Sequence, residues 1–306
     1  MALKDKVQRM SAKSRLKYLS YAPSYHPGNG GAIFQHQLVH ALNMLGEEAY
    51  LWPMAPIYGQ RRWRKVWERF FPPVYIRNPD LNTPVATPQD LGPDTVVIYP
   101  EIVRGNPLGL AHVVRWLLYK PGVRHPYEFT EGELFVRAFE KADLPELTGG
   151  AQELHLWKIN PVYRNENRPD RKGVCYAVRK GVEKPRIPET ETPEAISIDG
   201  LAPEEINEIF NRCETFISYD EATMYSQYAA LCGCLSVVVP GDYTSRAEMV
   251  AEHDLYRYGI AYGFDDTAHA LATRDKVAGM LQRKEEEGIA SVKAFITRAQ
   301  EAFTPD

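Results

Sequence analysis

The sequence is poor in the features that would set a chain apart from ordinary globular proteins. Its 306 residues contain four cysteines, at Cys175, Cys213, Cys232 and Cys234. They form no disulfide framework and lack the two Cys/His pairs at ligand spacing that a zinc site needs. A reducing compartment, the cytoplasm, fits such a set. No run of eighteen apolar residues occurs, so no membrane-spanning helix is expected. The N-terminus has Lys and Arg but no apolar core or small-residue cleavage site, so no signal peptide is expected either. Charge of one sign is also missing. Thirty-six basic against forty acidic residues leave a net −4, too balanced to imply a nucleic-acid partner. No solenoid-period repeat is present, and the length suits one large domain or two ordinary ones.

What is present is an alternation of short apolar runs with helix-period segments, clearest in FISYDEATMYSQYAALCGCLSVVVPG, Phe216 to Gly241. Phe216 and Ile217 close a strand, and Thr223 stands where a helix N-cap would be. Met224 to Cys232 follows as a helix without Gly or Pro. Gly233 stops it, because glycine enters the left-handed C′ conformation at no steric cost. Val237, Val238 and Val239 then form a β-branched strand ended by Pro240 and Gly241. An all-apolar strand beside a small-residue helix implies a parallel sheet buried on both faces, whose ligands bind beyond the carboxyl ends of its strands. Tyr219 to Thr223 is such an end, and the free N–H groups of the next helix suit an anion, most often phosphate.

The chain opens with the same grammar. Leu16 to Ala22 reads as a strand running into a loop with Gly28, Gly30 and Gly31, where the backbone can turn tightly and approach a ligand. Ile33, Phe34, Leu38, Ala41, Leu42 and Leu45 give a helix capped by Gly46, and Ala49 to Trp52 a second strand. The spacing is not G-x-G-x-x-G, and Pro53 and Met54 follow the second strand where a ribose-binding acid would stand. A dinucleotide cofactor is therefore disfavoured. Thr95 to Tyr99 is a further strand, ending in a polar loop with Glu101, Arg104 and Asn106, and Leu110 to Leu118 is expected to be helical. Tyr127 to Phe129 and Leu134 to Phe139 are weaker elements, and Asn160 to Asp170 reads as an inter-domain linker.

The second half restarts with the strand Gly173 to Val178, followed at once by Arg179, Lys180 and Gly181. Ala195 to Ile198, Pro203 to Asn211, Arg246 to His253 and Ile260 to Tyr262 supply strand, helix, helix and strand. A helix over Thr267 to Arg283 and an amphipathic one over Lys284 to Phe303 close the chain. This gives residues 1–165 as an N-terminal domain, 166–285 as a second, and 286–306 as a closing helix able to pack back on the first. Two basic stretches admit two readings each. Lys4 to Lys17 is a solvated leader or a segment drawn to anions. Gly59 to Phe71 is a helix with Trp63, Val66, Trp67 and Phe70 on one face and Arg61, Arg62, Arg64, Lys65 and Arg69 around them. That face packs on a sheet or lies in an anionic membrane surface.

Arg179 and Lys180, together with a helix start near Thr223, could hold a diphosphate. The cations would neutralise it while backbone N–H groups and the Thr223 and Ser226 hydroxyls reach its oxygens. Tyr219 and Met224 flank this position.

The phrases YPEIVRGNP, CYAVRKG and ISYDEAT…AALCGCLSVVVP, in that order on two α/β halves, resemble GT-B glycosyltransferases. They are most similar to the retaining, glycogen-synthase-like group that includes bacterial polysaccharide rhamnosyltransferases. The resemblance implies α/β, GT-B architecture: two Rossmann-like domains facing across a cleft. It implies transfer of a sugar from a nucleoside-diphosphate donor to a polysaccharide or lipid-linked glycan, with no divalent ion and no resident cofactor. It places Asp220 where the family has a sugar-contacting Glu, with Glu221 beside it, and Arg179 and Lys180 where the family has its paired cations. The family's ribose-binding Glu corresponds to Tyr228, which cannot act as a carboxylate, so Glu221 or Asp242 would serve instead. Gly30 and Gly31 would line the donor and acceptor approach, with Arg104 and Asn106 on the acceptor. His26, then Glu101, is the candidate general base. The alternatives are a nucleotide-sugar epimerase-like enzyme, or a binding protein that kept the fold and lost catalysis.

Overall fold

The computed structural model describes residues 16–27, 29–54, 74–123 and 125–304. The basic N-terminal stretch up to residue 15 and the Trp63–Trp67 segment lie outside them. The chain divides into two compact units, Met1–Trp157 with Glu286–Asp306 and Lys158–Glu285, and each is built on one parallel sheet.

In the first unit the strands are β1 Lys17–Ala22, β2 Glu48–Pro53, β3 Thr95–Pro100, β4 His112–Leu117, β5 Leu134–Arg137 and β6 Gln152–Glu153. Their spatial order is β2-β1-β3-β4-β5-β6, parallel throughout. Helix α1, Gly30–Met44, starts at Asn29, whose side chain accepts the Ala32 N–H at 3.2 Å. It ends before Gly46, which sits at φ 88°. Leu38, Val39 and Leu42 of α1 pack against Tyr18, Ile98, Val114 and Trp116 of the sheet. The C-terminal helix, Val277–Phe303, adds Val292, Phe295 and Ala299 to this same core.

Two expectations for this unit are corrected. Lys17 is no part of a solvated leader: it opens β1 and pairs with Glu48 and Asp90 at 3.1 and 3.0 Å. Leu110 to Leu118 is not helical, since β4 occupies it and pairs with β3 from Val96↔His112 to Pro100↔Trp116. Periodicity does not distinguish a short apolar run from a buried helix, and β4 is buried on both faces from Val113 onward. Tyr127 to Phe129 forms no strand. Its rings serve another purpose, beside a fully buried Arg115.

That arginine forks onto Glu133 through Nε–Oε2 at 2.8 Å and Nη2–Oε1 at 2.7 Å. It also donates to the carbonyls of Val103 and Gly105 at 2.5 and 2.8 Å. Its guanidinium lies 5.1 Å from the Tyr99 ring and 4.9 Å from that of Phe129. Glu133 in turn accepts the backbone and hydroxyl of Thr130, both at 2.7 Å. The loop after β3 and the segment before β5 are thereby fixed to one buried cation.

The second unit holds β7 Val174–Ala177, β8 Ile196–Ser197, β9 Thr215–Ser218, β10 Leu235–Val238 and β11 Ile260–Tyr262, in the parallel order β11-β10-β9-β7-β8. Its helices are α2 Pro203–Arg212, α3 Tyr225–Cys232, α4 Arg246–Glu252 and α5 Thr267–Thr273. All four cysteines are reduced and buried here, where a thiol packs as a small hydrophobe. A turn at Arg274–Lys276 separates α5 from the C-terminal helix, which is continuous where two segments were expected.

Asn160 to Asp170 is not a free connection. The chain divides between Trp157 and Lys158, and the stretch is bound to the second unit by side-chain amides. Asn207 accepts the Arg164 N–H at 3.1 Å and Asn211 the Glu166 N–H at 2.7 Å. Arg171, just beyond it, donates to the carbonyls of Phe210 at 2.7 Å and Cys232 at 2.5 Å. One cation thus serves the C-terminal ends of α2 and α3, where the helix dipole favours positive charge.

A buried pair is costly to break and cheap to replace whole. Glu133→Ala, which leaves Arg115 uncompensated, should destabilise the protein by about 3 to 5 kcal/mol. The double replacement Arg115→Met with Glu133→Leu should cost less than that single change. Chemical denaturation of the three proteins measures both.

Candidate functional site

In an open parallel sheet the loops part where the strand order reverses, and ligands enter that crevice at the carboxyl ends. The reversal falls between β1 and β3 in the first unit and between β7 and β9 in the second. The candidate residues proposed from sequence lie on the loops that leave these strands or in the first turns of the helices that follow them.

At the β7/β9 edge, Arg179 adopts φ 44°, one of two left-handed non-glycine residues among those described. Such a conformation costs of order 1 to 3 kcal/mol and persists where its surroundings impose it. Those surroundings are visible. Asp199 accepts the N–H groups of Val178 at 2.8 Å and Arg179 at 3.4 Å. Gly181 comes so close to Tyr219 that a Cβ there would overlap its carbonyl. The side chain of Arg179, 42% exposed, lies 3.8 Å from Asp220 Oδ2, and its guanidinium is 5.1 Å from the Tyr225 ring on the first turn of α3. Asp220 is 4% exposed and its other oxygen accepts the Ala222 N–H at 3.0 Å. The expected partners Arg179 and Asp220 are therefore together. Lys180 is exposed in the turn beyond them.

Glu221 is differently placed. Its oxygens accept the Asp242 N–H at 2.9 and 3.2 Å, the Tyr262 hydroxyl at 2.7 Å, and the Lys184 ammonium at 3.0 Å. Burial works against its charge, but the Asp242 amide, Tyr262 and Lys184 outweigh it and hold the carboxyl below its usual value. Lys184 also donates to the Val239 carbonyl at 2.7 Å. A Cβ on Gly241 would meet Lys184 Cε and Nζ where they now sit, so a side chain there would displace the tip of that lysine. Tyr219 is buried, and its hydroxyl accepts the Ile187 N–H at 3.0 Å and meets Thr190 at 2.5 Å. Arg186 lies 4.6 Å over the Tyr219 ring.

At the start of α3 Met224 precedes the helix in αR conformation and has no side-chain cap of its own, while the Thr223 hydroxyl accepts the Tyr225 N–H at 3.4 Å, the bond expected of a cap at that position. Thr223 is buried and its carbonyl accepts the Tyr256 hydroxyl at 2.9 Å. Ser226 is fully buried, so its hydroxyl faces the protein interior and not a ligand. Lys184, Arg186 and Tyr225 were not singled out from sequence. The available signal was four cations, Arg179, Lys180, Lys184 and Arg186, within nine residues of the end of β7.

At the β1/β3 edge of the first unit, Gly30 and Gly31 form the first turn of α1 and not the loop before it. Among the described residues nothing stands within 4 Å of a Cβ on Gly30, and on Gly31 the nearest atoms are at ordinary contact distance, so none of them requires either glycine on steric grounds. Glu101 is buried and its Oε2 accepts the Leu118 N–H at 3.0 Å, which ties the ends of β3 and β4. The Leu118 side chain also stands 3.7 Å from a Cβ built on Gly31, after Asn29 Oδ1 at 3.5 Å, so Gly31 and Glu101 share one edge. His26 is exposed in the preceding loop. Arg104, 65% exposed, pairs with Glu128 at 2.9 Å. The Asn106 side chain is spent within its own loop, accepting from Tyr99 at 3.1 Å and donating to Leu110 at 2.8 Å. Among the described residues no cluster of His, Cys, Asp and Glu could hold a metal ion, and no helix is long and apolar enough to cross a membrane.

A carboxyl whose pKa falls on folding stabilises fully above its unfolded value, near 4.5 for Glu221, and loses that contribution as pH drops through the lower folded value. The stability gap between wild type and Glu221→Gln should therefore shrink between roughly pH 6 and roughly pH 3. Urea midpoints across that range test it, and a gap independent of pH contradicts it.

No protein-family model matches the chain, and no curated protein matches its sequence. Solved structures similar to it over most of its length include the spinosyn forosaminyltransferase SpnP, at 14% identity over 94% of this chain and 95% of that one, with a TM-score of 0.39. The glycosyltransferase SnogD from Streptomyces nogalater shares 11% over 93% and 100%, with a TM-score of 0.42. Sucrose-phosphate synthase from Thermosynechococcus elongatus shares 10% over 94% and 96%, with a TM-score of 0.43. Likenesses this distant carry no argument about activity, which rests on the residues of the chain itself.

Proposed function

We propose that the protein is a GT-B glycosyltransferase that moves a sugar from a nucleoside-diphosphate donor onto a glycan or lipid-linked acceptor. The observation that carries this reading is Arg179, held in a left-handed conformation at a strand-order reversal with its guanidinium between Asp220 and Tyr225. Backbone strain imposed by Asp199 and Gly181 holds the Arg179 side chain in place at a carboxyl edge, where strained residues cluster at ligand sites.

In this reading the donor diphosphate lies at the β7/β9 edge. Transfer of the sugar builds negative charge on the leaving diphosphate, and fixed cations lower the barrier because they need no reorganisation as that charge appears. Arg179 supplies one such cation and Lys184 another, with Lys180 and Arg186 at the exposed rim. We read the transfer as metal-independent on the strength of this cation set. Asp220 contacts the donor sugar, and the acceptor enters at the β1/β3 edge of the first unit, over Gly30 and Gly31. His26 or Glu101 orients or deprotonates the acceptor hydroxyl there. Retention of configuration, a polysaccharide product and attachment to an anionic membrane through Trp63 and Trp67 complete the reading.

UDP, GDP or dTDP at about a hundredfold excess over its Kd should raise the melting temperature by about 5 °C or more without a divalent ion. Arg179→Ala should abolish the shift. If none of the three shifts the wild type, there is no donor site at this edge. With donor and acceptor both supplied, Asp220→Asn should lower kcat by about a hundredfold while leaving the melting temperature near that of the wild type. Product analysis of the same reactions separates the chemistry: a new glycosidic bond supports transfer, whereas an isomerised donor formed without acceptor replaces it with epimerisation.

A further inference from the structure

The resemblance read from the sequence makes the acidic pair Asp220 and Glu221 two candidates for the same task. The structure separates them. Asp220 keeps one oxygen facing an exposed arginine, whereas Glu221 is enclosed by donors from three segments: Lys184 of the loop after β7, Asp242 of the loop after β10, and Tyr262 at the end of β11. We infer that Glu221 is a positioning residue that, with Tyr262 and the Val239 carbonyl, sets the Lys184 ammonium as a pre-formed cation for the donor diphosphate. The inference rests on the function proposed above for this edge.

Four features of the arrangement support it. A lysine on a flexible stem loses much rotamer freedom when fixed, yet Lys184 is held by two acceptors, Glu221 Oε2 at 3.0 Å and the Val239 carbonyl at 2.7 Å. A Cβ on Gly241 would fall on Lys184 Cε and Nζ where they now sit, so the glycine leaves room for the ammonium in its held position. Tyr262 fixes the carboxylate from the other side. Its hydroxyl proton is shared between Glu221 Oε1 at 2.7 Å and the Tyr243 carbonyl at 2.6 Å, while its oxygen accepts from Gly241 at 3.0 Å and Tyr243 at 3.2 Å. A carboxylate with these partners has no oxygen left for a sugar hydroxyl or a ribose, and its charge is directed at Lys184. An ammonium has three donors, and the two acceptors just named leave one for a phosphate oxygen.

Glu221→Gln keeps the volume and an oxygen for Asp242 and Tyr262 but turns an amide toward the lysine. In that variant Lys184 should react with acetic anhydride at least tenfold faster than in the wild type, followed peptide by peptide by mass spectrometry. Nucleoside-diphosphate affinity should fall about tenfold in Glu221→Gln and in Lys184→Met, and the double variant should lose no more than either single change, because one residue acts through the other. Tyr262→Phe, which leaves the ion pair in place, provides the same comparison should Glu221→Gln not fold, with a smaller loss that likewise vanishes in the Lys184→Met background. Unchanged labelling of Lys184, or losses that add in the double variant, overturns the inference. A wild type that binds no nucleoside diphosphate overturns the proposed function instead, and the labelling result still decides what Glu221 does to Lys184.

Discussion

The constraint on which the molecule depends is that both sheets are parallel and their central strands are buried. A polar side chain within such a strand is tolerated only when its partners are supplied, as those of Arg115 in β4 are. Backbone groups are satisfied strand to strand, and most charge is driven to the ends. The polar chemistry of each unit therefore collects at the carboxyl edge, on loops that must be held without the help of regular hydrogen bonding. Buried ions do much of that holding. Arg115 gathers the carbonyls of the loop after β3, Asp143 accepts the amides of Leu144 and Ala151, and Glu221 fixes the loop after β10. Each is closed on all sides by donors or acceptors, the condition under which a buried charge is tolerated.

Against that background the open groups stand out. Arg179, Lys180, Arg186 and Arg104 are exposed, and of the carboxylates at the β7/β9 edge Asp220 has the looser partner, a guanidinium at 3.8 Å. The distinction between ions that hold loops and ions that face outward divides the candidate site more sharply than residue type does. It moves Glu221, Tyr219 and Asn106 to the holding side and brings Lys184 into consideration between the two.

The alternation of strands and helices was legible in the sequence because it is written in runs of β-branched residues and in glycine stops. Gly46 and Gly233 end α1 and α3 at positive φ as their places imply. HVVRWL is not legible as a strand, because a short buried run has no period that separates it from a helix, and pairing with β3 decides its conformation. The Thr223 cap signal is local, and its hydroxyl does accept the Tyr225 N–H. Of the site, the Arg179–Asp220 pair was legible from order and residue type. The Lys184–Glu221–Tyr262 set was not, because its members come from three loops that only the sheet brings together.

Two departures noted separately are the same physical fact. Asn160 to Asp170 looked like a linker because it is polar and rich in Arg, and Tyr228 looked like a defect because a carboxylate was wanted there. Tyr163, from the supposed linker, stacks on Tyr228 with ring centroids 4.1 Å apart and planes 16° from parallel, and the Asn160 N–H donates to the Tyr228 hydroxyl at 3.4 Å. Burial pushes both phenols above their usual range, so neither is an anion at neutral pH. A glutamate at 228 would face an aromatic ring and lose its solvation, while a tyrosine there anchors the segment that enters the second unit. The aromatic pair explains at once why the stretch is held to the second unit and why position 228 carries a ring and not a carboxylate. On the proposed function, a ribose contact at this edge falls to the outward-facing loops and not to position 228.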